Sequence, residues 1–272
     1  MFHVILPILL ALAGGVGGFF LRRWELATIF DANGLATLWS TPSLLLIALS
    51  AVLAIGFILL VRKPAYLPAD YDQGFSAQNN WLYLMAMAFA ACALLMAGIL
   101  GLRSRMLFGP GQFLASLTDL FCLLSFFCVL SAALDNFRGS TQRFNLLLLA
   151  PGYTFCLWLV CSYQEQAADP VVLDYVYRML AIICSLIGMY FSAGYSFGRP
   201  KFRRCAVFSL LGIFFTLVTL AEPHSLTDRL MFLFALLYLL ANLTVLLHHT
   251  HRLHTPTQSV EKNTTQEVTP DE

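Results

Sequence analysis

Long apolar stretches recur along this chain, and they constrain its fold more than any other feature. A helix of about 20 apolar residues is long enough to cross the hydrocarbon core of a bilayer, which is roughly 30 Å thick. Eight segments of the sequence meet this requirement, so we predict eight membrane-spanning helices. The predicted spans are, in chain order, Phe2–Leu21, Pro42–Val61, Asn80–Leu102, Gln112–Leu134, Phe144–Tyr163, Val171–Ser196, Cys205–Ala221 and Leu226–His248.

The composition agrees with a membrane protein. Of the 272 residues, 59% are hydrophobic and 11% are charged, whereas a soluble domain is typically about 45–50% apolar and roughly 25% charged. These values exclude a soluble globular protein and a disordered chain. The formal net charge of +1 excludes a nucleic-acid-binding protein that relies on an overall basic surface. The predicted fold class is therefore an all-α, polytopic helical bundle embedded in a lipid bilayer.

Two parts of the chain differ in character. Residues 1–249 are predicted to form one transmembrane domain. The first apolar stretch is too long for a cleaved signal peptide and has no Lys or Arg before it, so we expect it to be retained. Residues 250–272 are polar and rich in Thr and Glu, which is typical of a disordered tail.

The Lys and Arg residues of the short loops predict the orientation of the bundle. With the N-terminus inside, the inner segments carry ten Lys and Arg residues and the outer loops carry five. This excess predicts that both termini are cytoplasmic. We expect the membrane to be the plasma membrane. The segment Arg199–Arg204 contributes most to the inner count.

Charged residues lie inside two of the predicted spans. Because a charge at membrane depth is unfavourable, it usually faces the bundle interior and has a partner there. Asp119 lies seven residues beyond Gln112, and Arg178 lies seven residues beyond Val171. Both spans enter from the same side, so these two charges share a depth, and we predict that they form an ion pair. Asp174, four residues before Arg178, is the alternative partner.

The sixth span also carries a face of small and polar side chains. These residues recur at intervals of three or four, which places them on one side of a helix. Such a face contacts protein or a water-filled cavity, and it serves either helix packing or a binding site. We predict that it meets the fourth span. The candidate residues for a ligand-binding site or a structural ion pair are Asp119, Asp174, Arg178, Ser185 and Ser192.

Motifs for metals, cofactors and catalysis are missing from the sequence. The seven cysteines form no Cys-x-x-Cys pair and are interpreted as small buried hydrophobic residues. The sequence has no phosphate-binding loop, no His-Glu-x-x-His and no Gly-x-Ser-x-Gly. We therefore expect no bound cofactor and no metal, and the sequence gives no support for an enzyme.

The sequence favours two functions over a third, an intramembrane enzyme that acts on lipid, because we place only two acids, Asp119 and Asp174, inside the apolar stretches. The first is binding or transport of a small molecule or lipid through a polar cavity in the outer half of the bundle, between the fourth and sixth spans. The second is a non-enzymatic anchor, sensor or assembly subunit of a larger complex, with another membrane subunit as its partner. The first predicts a hydrated cavity beside Asp119 and Arg178, whereas the second predicts a dry and closed interior.

Overall fold

A computed structural model describes residues 2–28, 40–61, 68, 71–104, 112–139, 146–167 and 172–252. Within these ranges the backbone forms nine α-helices, two short 3-10 turns and no strand, which confirms the predicted all-α class. The helices are α1 Phe2–Thr28, α2 Thr41–Leu60, α3 Tyr71–Phe75, α4 Trp81–Ser104, α5 Phe113–Arg138, α6 Ala150–Gln166, α7 Val172–Gly194, α8 Phe202–Thr219 and α9 Leu226–Arg252.

Eight of these helices are long and apolar enough to cross a membrane, and they correspond to the eight predicted spans. The chain is therefore a multi-pass membrane protein. The short helix α3 is the exception and lies between the second and third spans. The predicted disordered tail lies outside the described residues, apart from the end of α9, and the orientation of the termini stays a prediction.

The first span is longer than predicted. The sequence indicates an end at Leu21, before a pair of arginines, but α1 continues to Thr28. The arginine at position 22 is fully buried, as is Glu25 one turn later. Because Arg22 and Glu25 neutralise one another inside the bundle, the helix continues past the two arginines.

The helices α8 and α9 form the centre of the bundle, and α1 and α2 lie at its periphery. About 67% of the apolar stretch of each central helix is buried, compared with 28% for α1 and 22% for α2. The helix α8 packs against α1, α7 and α9, while α9 also packs against α4. On the remaining side of the bundle, α6 packs against both α5 and α7.

Glycines allow α1 to approach α8 closely. A Cβ atom added at Gly15 would lie 2.8 Å from the Cβ of Leu217, which is closer than a normal contact. A Cβ atom added at Gly17 would meet no atom within 4 Å, because that position faces away from the bundle. Gly15 therefore lies at the contact between α1 and α8, whereas Gly17 lies on the open side of the same helix.

This difference predicts the effect of larger side chains on α1. Gly15→Val is expected to lower the free energy of unfolding by about 1–3 kcal/mol, because it overpacks the contact with α8. Gly17→Val is the matched control and is expected to change it little. Thermal unfolding in detergent, followed by tryptophan fluorescence, measures both variants. Equal melting temperatures for the two variants would contradict this packing.

Candidate functional site

Among the residues that the structure describes, most carboxylates near the ends of the spans lie at one end of the bundle, which we call the acidic end. It is formed by the last residues of α1, α4, α6 and α8 and by the first residues of α2, α5, α7 and α9. This is the end that the sequence predicts to face outward. The carboxylates that define it are Glu25, Asp119, Glu165, Glu222 and Asp228.

A small cavity, which we call the carboxylate cavity, lies at the acidic end between α5, α6 and α9. Its volume is about 20 Å³, which is enough for one or two water molecules. Three of its lining side chains are carboxylates, and three contain sulfur. The lining residues are Thr118, Asp119, Cys122, Trp158, Cys161, Glu165, Thr227, Asp228 and Met231.

Glycines of α4 make room for Asp119 on α5. A Cβ atom at Gly98 would lie 3.0 Å from the backbone oxygen of Asp119, so this glycine brings the two helices close together. A Cβ atom at Gly101 would overlap the Asp119 carboxylate, with its Oδ2 atom only 2.7 Å away. The carboxylate therefore occupies the space above Gly101, where it is 3% exposed.

The guanidinium of Arg178 contacts two of the cavity carboxylates. Its Nη2 atom lies 3.3 Å from Oδ2 of Asp228 and 3.5 Å from Oε2 of Glu165. It also donates to the Ser162 hydroxyl at 3.4 Å. On the other side of Asp228, the Trp158 indole Nε1 donates to Oδ1 at 3.2 Å. These contacts fix Asp228 at the edge of the cavity.

These positions correct part of the sequence prediction. The ion-pair partners of Arg178 are Glu165 and Asp228, and not Asp119. The reason is the helix order, because α6 packs against both α5 and α7 and supplies Glu165 as the nearer carboxylate. The carboxylate cavity lies between the fourth, fifth and eighth spans. A cavity between the fourth and sixth spans stays a prediction. The side chain of Asp174 lies outside the described part of the structure.

The small and polar face of α7 packs against α8. Ser185 is fully buried, and its Oγ atom lies 3.2 Å from where a Cβ atom at Gly212 of α8 would be. Ser192 donates to the Gly188 carbonyl at 2.9 Å and contacts the Cys205 Sγ of α8 at 3.4 Å. The two serines share a buried face, but the fourth span is not the helix that covers it. A ligand-binding role for them stays a prediction that these contacts do not support.

A second polar group at the acidic end, the Arg22 cluster, is buried more deeply. The Arg22 guanidinium lies 2.8 Å from Oε2 of Glu25 and 2.8 Å from Oε1 of Glu222. Arg22 and Glu25 are 0% exposed and Glu222 is 6% exposed. The Ser43 hydroxyl donates to Glu25 at 2.6 Å, and the ring of Tyr177 lies 5.1 Å from the Arg22 Cζ atom.

Sequence reasoning treated Arg22 as a charge that flanks the membrane and so missed this cluster. The one signal in the sequence is the spacing of Arg22 and Glu25, which places opposite charges one turn apart on a helix. The third member, Glu222, is 200 residues further along the chain. Nothing in the local sequence shows that it approaches α1.

His224 lies in the turn between α8 and α9, beside the Arg22 cluster. Its Nε2 atom is 2.7 Å from the Thr219 carbonyl oxygen and 3.6 Å from Oε2 of Glu222. Burial is the main cause that lowers the pKa of His224 below its ordinary value of 6.5, and the charge of Arg178 lowers it further. The hydrogen bond to Thr219 opposes this shift without reversing it. The imidazole is therefore neutral near pH 7 and donates its Nε2–H to the carbonyl.

This lowered pKa predicts a loss of stability in acid. The stabilisation that a neutral His224 provides is complete above about pH 6.5, and it is lost as the pH falls through that value towards the lowered pKa. In His224→Gln, the melting temperature is expected to fall less between pH 8 and pH 5 than in the parent protein. Parallel melting curves of both proteins across this range test the assignment. An identical pH dependence in the two would contradict it.

Metal-binding geometry is absent from the part of the chain that the structure describes. No group of three or more His, Cys, Asp or Glu side chains there is arranged to hold a metal ion. Comparison with known proteins gives no further guide to the site, since no family model, curated protein or solved structure matches this chain. The fold defines a multi-pass, all-α membrane protein.

Proposed function

We propose that this protein binds a small cation in the carboxylate cavity and transports it across the membrane. The observation that carries the proposal is the position of Asp119, which is 3% exposed and lines a water-sized cavity together with Glu165 and Asp228. Ionisable side chains within membrane spans are costly, and they mark ion and substrate pathways more often than other positions.

The charge of the cavity favours a cation over an anion or a neutral solute. Three carboxylates line it, and the neighbouring guanidinium of Arg178 contacts Glu165 and Asp228. A monovalent cation about 4 Å from one carboxylate gains about 4 kcal/mol of Coulomb energy at an effective dielectric constant of 20. This gain offsets part of the loss of hydration when the cation enters.

The size of the cavity favours a small monovalent cation over a lipid. Because no group of described side chains is arranged to ligate a metal ion, a small amine that hydrogen-bonds to the carboxylates fits the cavity better than a coordinated metal ion. A volume of about 20 Å³ holds one or two water molecules, whereas pockets for larger organic ligands measure about 300–1,000 Å³. The sequence allows either a small molecule or a lipid as the ligand, and the size of this cavity supports a small one. Release on the opposite side requires the helices around the cavity to move.

The second candidate is a membrane anchor or assembly subunit, and one observation favours it. The Arg22 cluster is closely paired and buried, as expected for charges that hold helices together. In that case the interior stays closed to solutes and function depends on a partner subunit. The two candidates therefore differ in whether charged solutes reach the carboxylate cavity.

Thiol labelling distinguishes the two candidates, because Cys161 lines the carboxylate cavity. A variant keeps Cys161 as its only cysteine and is reacted in proteoliposomes with cationic trimethylammonioethyl methanethiosulfonate or with anionic sulfonatoethyl methanethiosulfonate. Rates are normalised to those with free cysteine. Both reagents are larger than the cavity, so they reach Cys161 only while the surrounding helices are open, as transport requires. We expect the cationic reagent to react faster by at least about tenfold, which corresponds to about 1.4 kcal/mol.

A matched control separates this effect from simple burial. Cys184 on α7 is 6% exposed, compared with 8% for Cys161, but it does not line the cavity. A variant with Cys184 as its only cysteine is expected to react slowly with both reagents. If Cys161 reacts as slowly as Cys184, the interior is closed and the anchor function is supported. If the anionic reagent reacts faster at Cys161, a cation site is excluded.

A further inference from the structure

The turn between α7 and α8 and the first residues of α8 carry a concentrated positive charge at the end of the bundle opposite the acidic end. Four basic residues occur within six positions, and all four side chains are exposed. Among the described residues, no ion pair involves Arg199, Lys201 or Arg204. Because like charges this close repel one another, an anionic partner stabilises them. We call Arg199, Lys201, Arg203 and Arg204 the basic turn.

The basic turn has a defined shape. Gly198 adopts the left-handed conformation with φ of 64°, and the backbone N–H of Arg199 donates to the Gly194 carbonyl at 3.1 Å. Tyr195 before the basic turn is 1% exposed, and Phe202 between Lys201 and Arg203 is 6% exposed, so the segment is anchored in the bundle at both positions. The cations are therefore presented on a fixed turn, which reduces the conformational entropy lost when a partner binds.

The position of the basic turn indicates where its partner lies. It joins two membrane-spanning helices directly, which places it at the level of the lipid headgroups. Phe197, two residues before Arg199, is 45% exposed and faces the surroundings of the bundle. Clusters of Lys and Arg next to membrane spans attract anionic lipids, by about fivefold in affinity for each basic residue.

We propose that the basic turn binds the headgroup phosphate of an anionic phospholipid. The cations contact the phosphate, while Phe197 lies against the upper part of the acyl chains. A lipid satisfies both features at once, whereas free phosphate satisfies only the charge. This site is independent of the carboxylate cavity, since the two lie at opposite ends of the helices.

Binding of a fluorescent, tail-labelled phosphatidylglycerol to the full chain in dodecyl maltoside tests the proposal. We expect phosphatidylglycerol to bind at least about tenfold more tightly than phosphatidylcholine, with weaker binding in 0.5 M NaCl because salt screens the contact. The triple variant Arg199→Gln, Lys201→Gln and Arg204→Gln is expected to reduce the affinity by about a hundredfold. Glycerol phosphate is expected to compete poorly.

A second triple variant controls for total charge. Arg23→Gln, Arg103→Gln and Arg229→Gln remove three exposed cations at the acidic end, and this variant is expected to bind phosphatidylglycerol as the parent does. Equal loss in both triple variants, equal affinity of the parent for the two lipids, or unchanged binding in the basic-turn variant would each overturn the proposal. Competition by glycerol phosphate as strong as that by the lipid would assign the site to free phosphate and overturn the lipid source.

Discussion

Arg22→Met is expected to lower the free energy of unfolding by about 3–5 kcal/mol, the largest effect of any single substitution considered for this protein. The substitution leaves the carboxylates of Glu25 and Glu222 buried without the guanidinium that lies 2.8 Å from each of them. Such a loss is a large fraction of the total stability of a typical domain. Thermal unfolding in detergent measures it.

The neighbouring arginine is a matched control for this substitution. Arg23 is exposed, so Arg23→Met removes the same charge from the same helix and is expected to change stability by less than about 0.5 kcal/mol. The triple variant Arg22→Met, Glu25→Gln and Glu222→Gln is expected to recover much of the loss, because no unpaired buried charge remains. A melting temperature of Arg22→Met equal to that of Arg23→Met would contradict the burial of this cluster.

Asp119→Asn is expected to reduce the preference of Cys161 for the cationic labelling reagent by about fivefold, equivalent to about 1 kcal/mol. The substitution removes one of the three carboxylates that line the cavity and preserves the size of the side chain. Gly101→Ala is expected to act in the same direction, since its added methyl group displaces the Asp119 carboxylate. Labelling rates in the variant with Cys161 as its only cysteine measure both effects.

Asp135 provides the control for this second prediction. It lies on α5 like Asp119, but near the opposite end of the helix. Asp135→Asn is expected to leave the labelling preference at Cys161 unchanged. A similar loss in Asp119→Asn and Asp135→Asn would indicate a general effect of net charge, and the cavity carboxylate would then have no special role.

The spans could be predicted from the sequence because the bilayer imposes a simple rule. Backbone polar groups have no water to bond in the hydrocarbon core, so a crossing segment has to be a long apolar helix. Helix ends obey no such simple rule. The end of α1 at Thr28 depends on Glu222, which neutralises Arg22 from a distant part of the chain. The local sequence around Arg22 resembles an ordinary membrane-flanking pair of arginines.

The sequence could predict the end of the bundle at which the candidate site lies, but it could not predict which helices are adjacent there. Asp119 and Arg178 do lie at the same end of the bundle, as their positions within the spans require. Which carboxylate contacts Arg178 depends on which helices are adjacent, and that depends on packing of small residues across the whole bundle. The face that includes Ser185 and Ser192 shows the same limit, because periodicity identifies a shared face without identifying the helix that covers it.

Ion uptake into proteoliposomes tests the central claim most directly. The probes are radioactive rubidium and methylammonium as cations and chloride as the anion, with the parent protein, Asp119→Asn and Asp135→Asn compared at equal density. We predict that at least one cation enters vesicles with the parent or Asp135→Asn faster than it enters protein-free vesicles. Asp119→Asn is expected to abolish this uptake. Chloride is expected to enter all vesicles at the rate of protein-free vesicles. Uptake of both cations at the rate of protein-free vesicles would contradict transport through the carboxylate cavity.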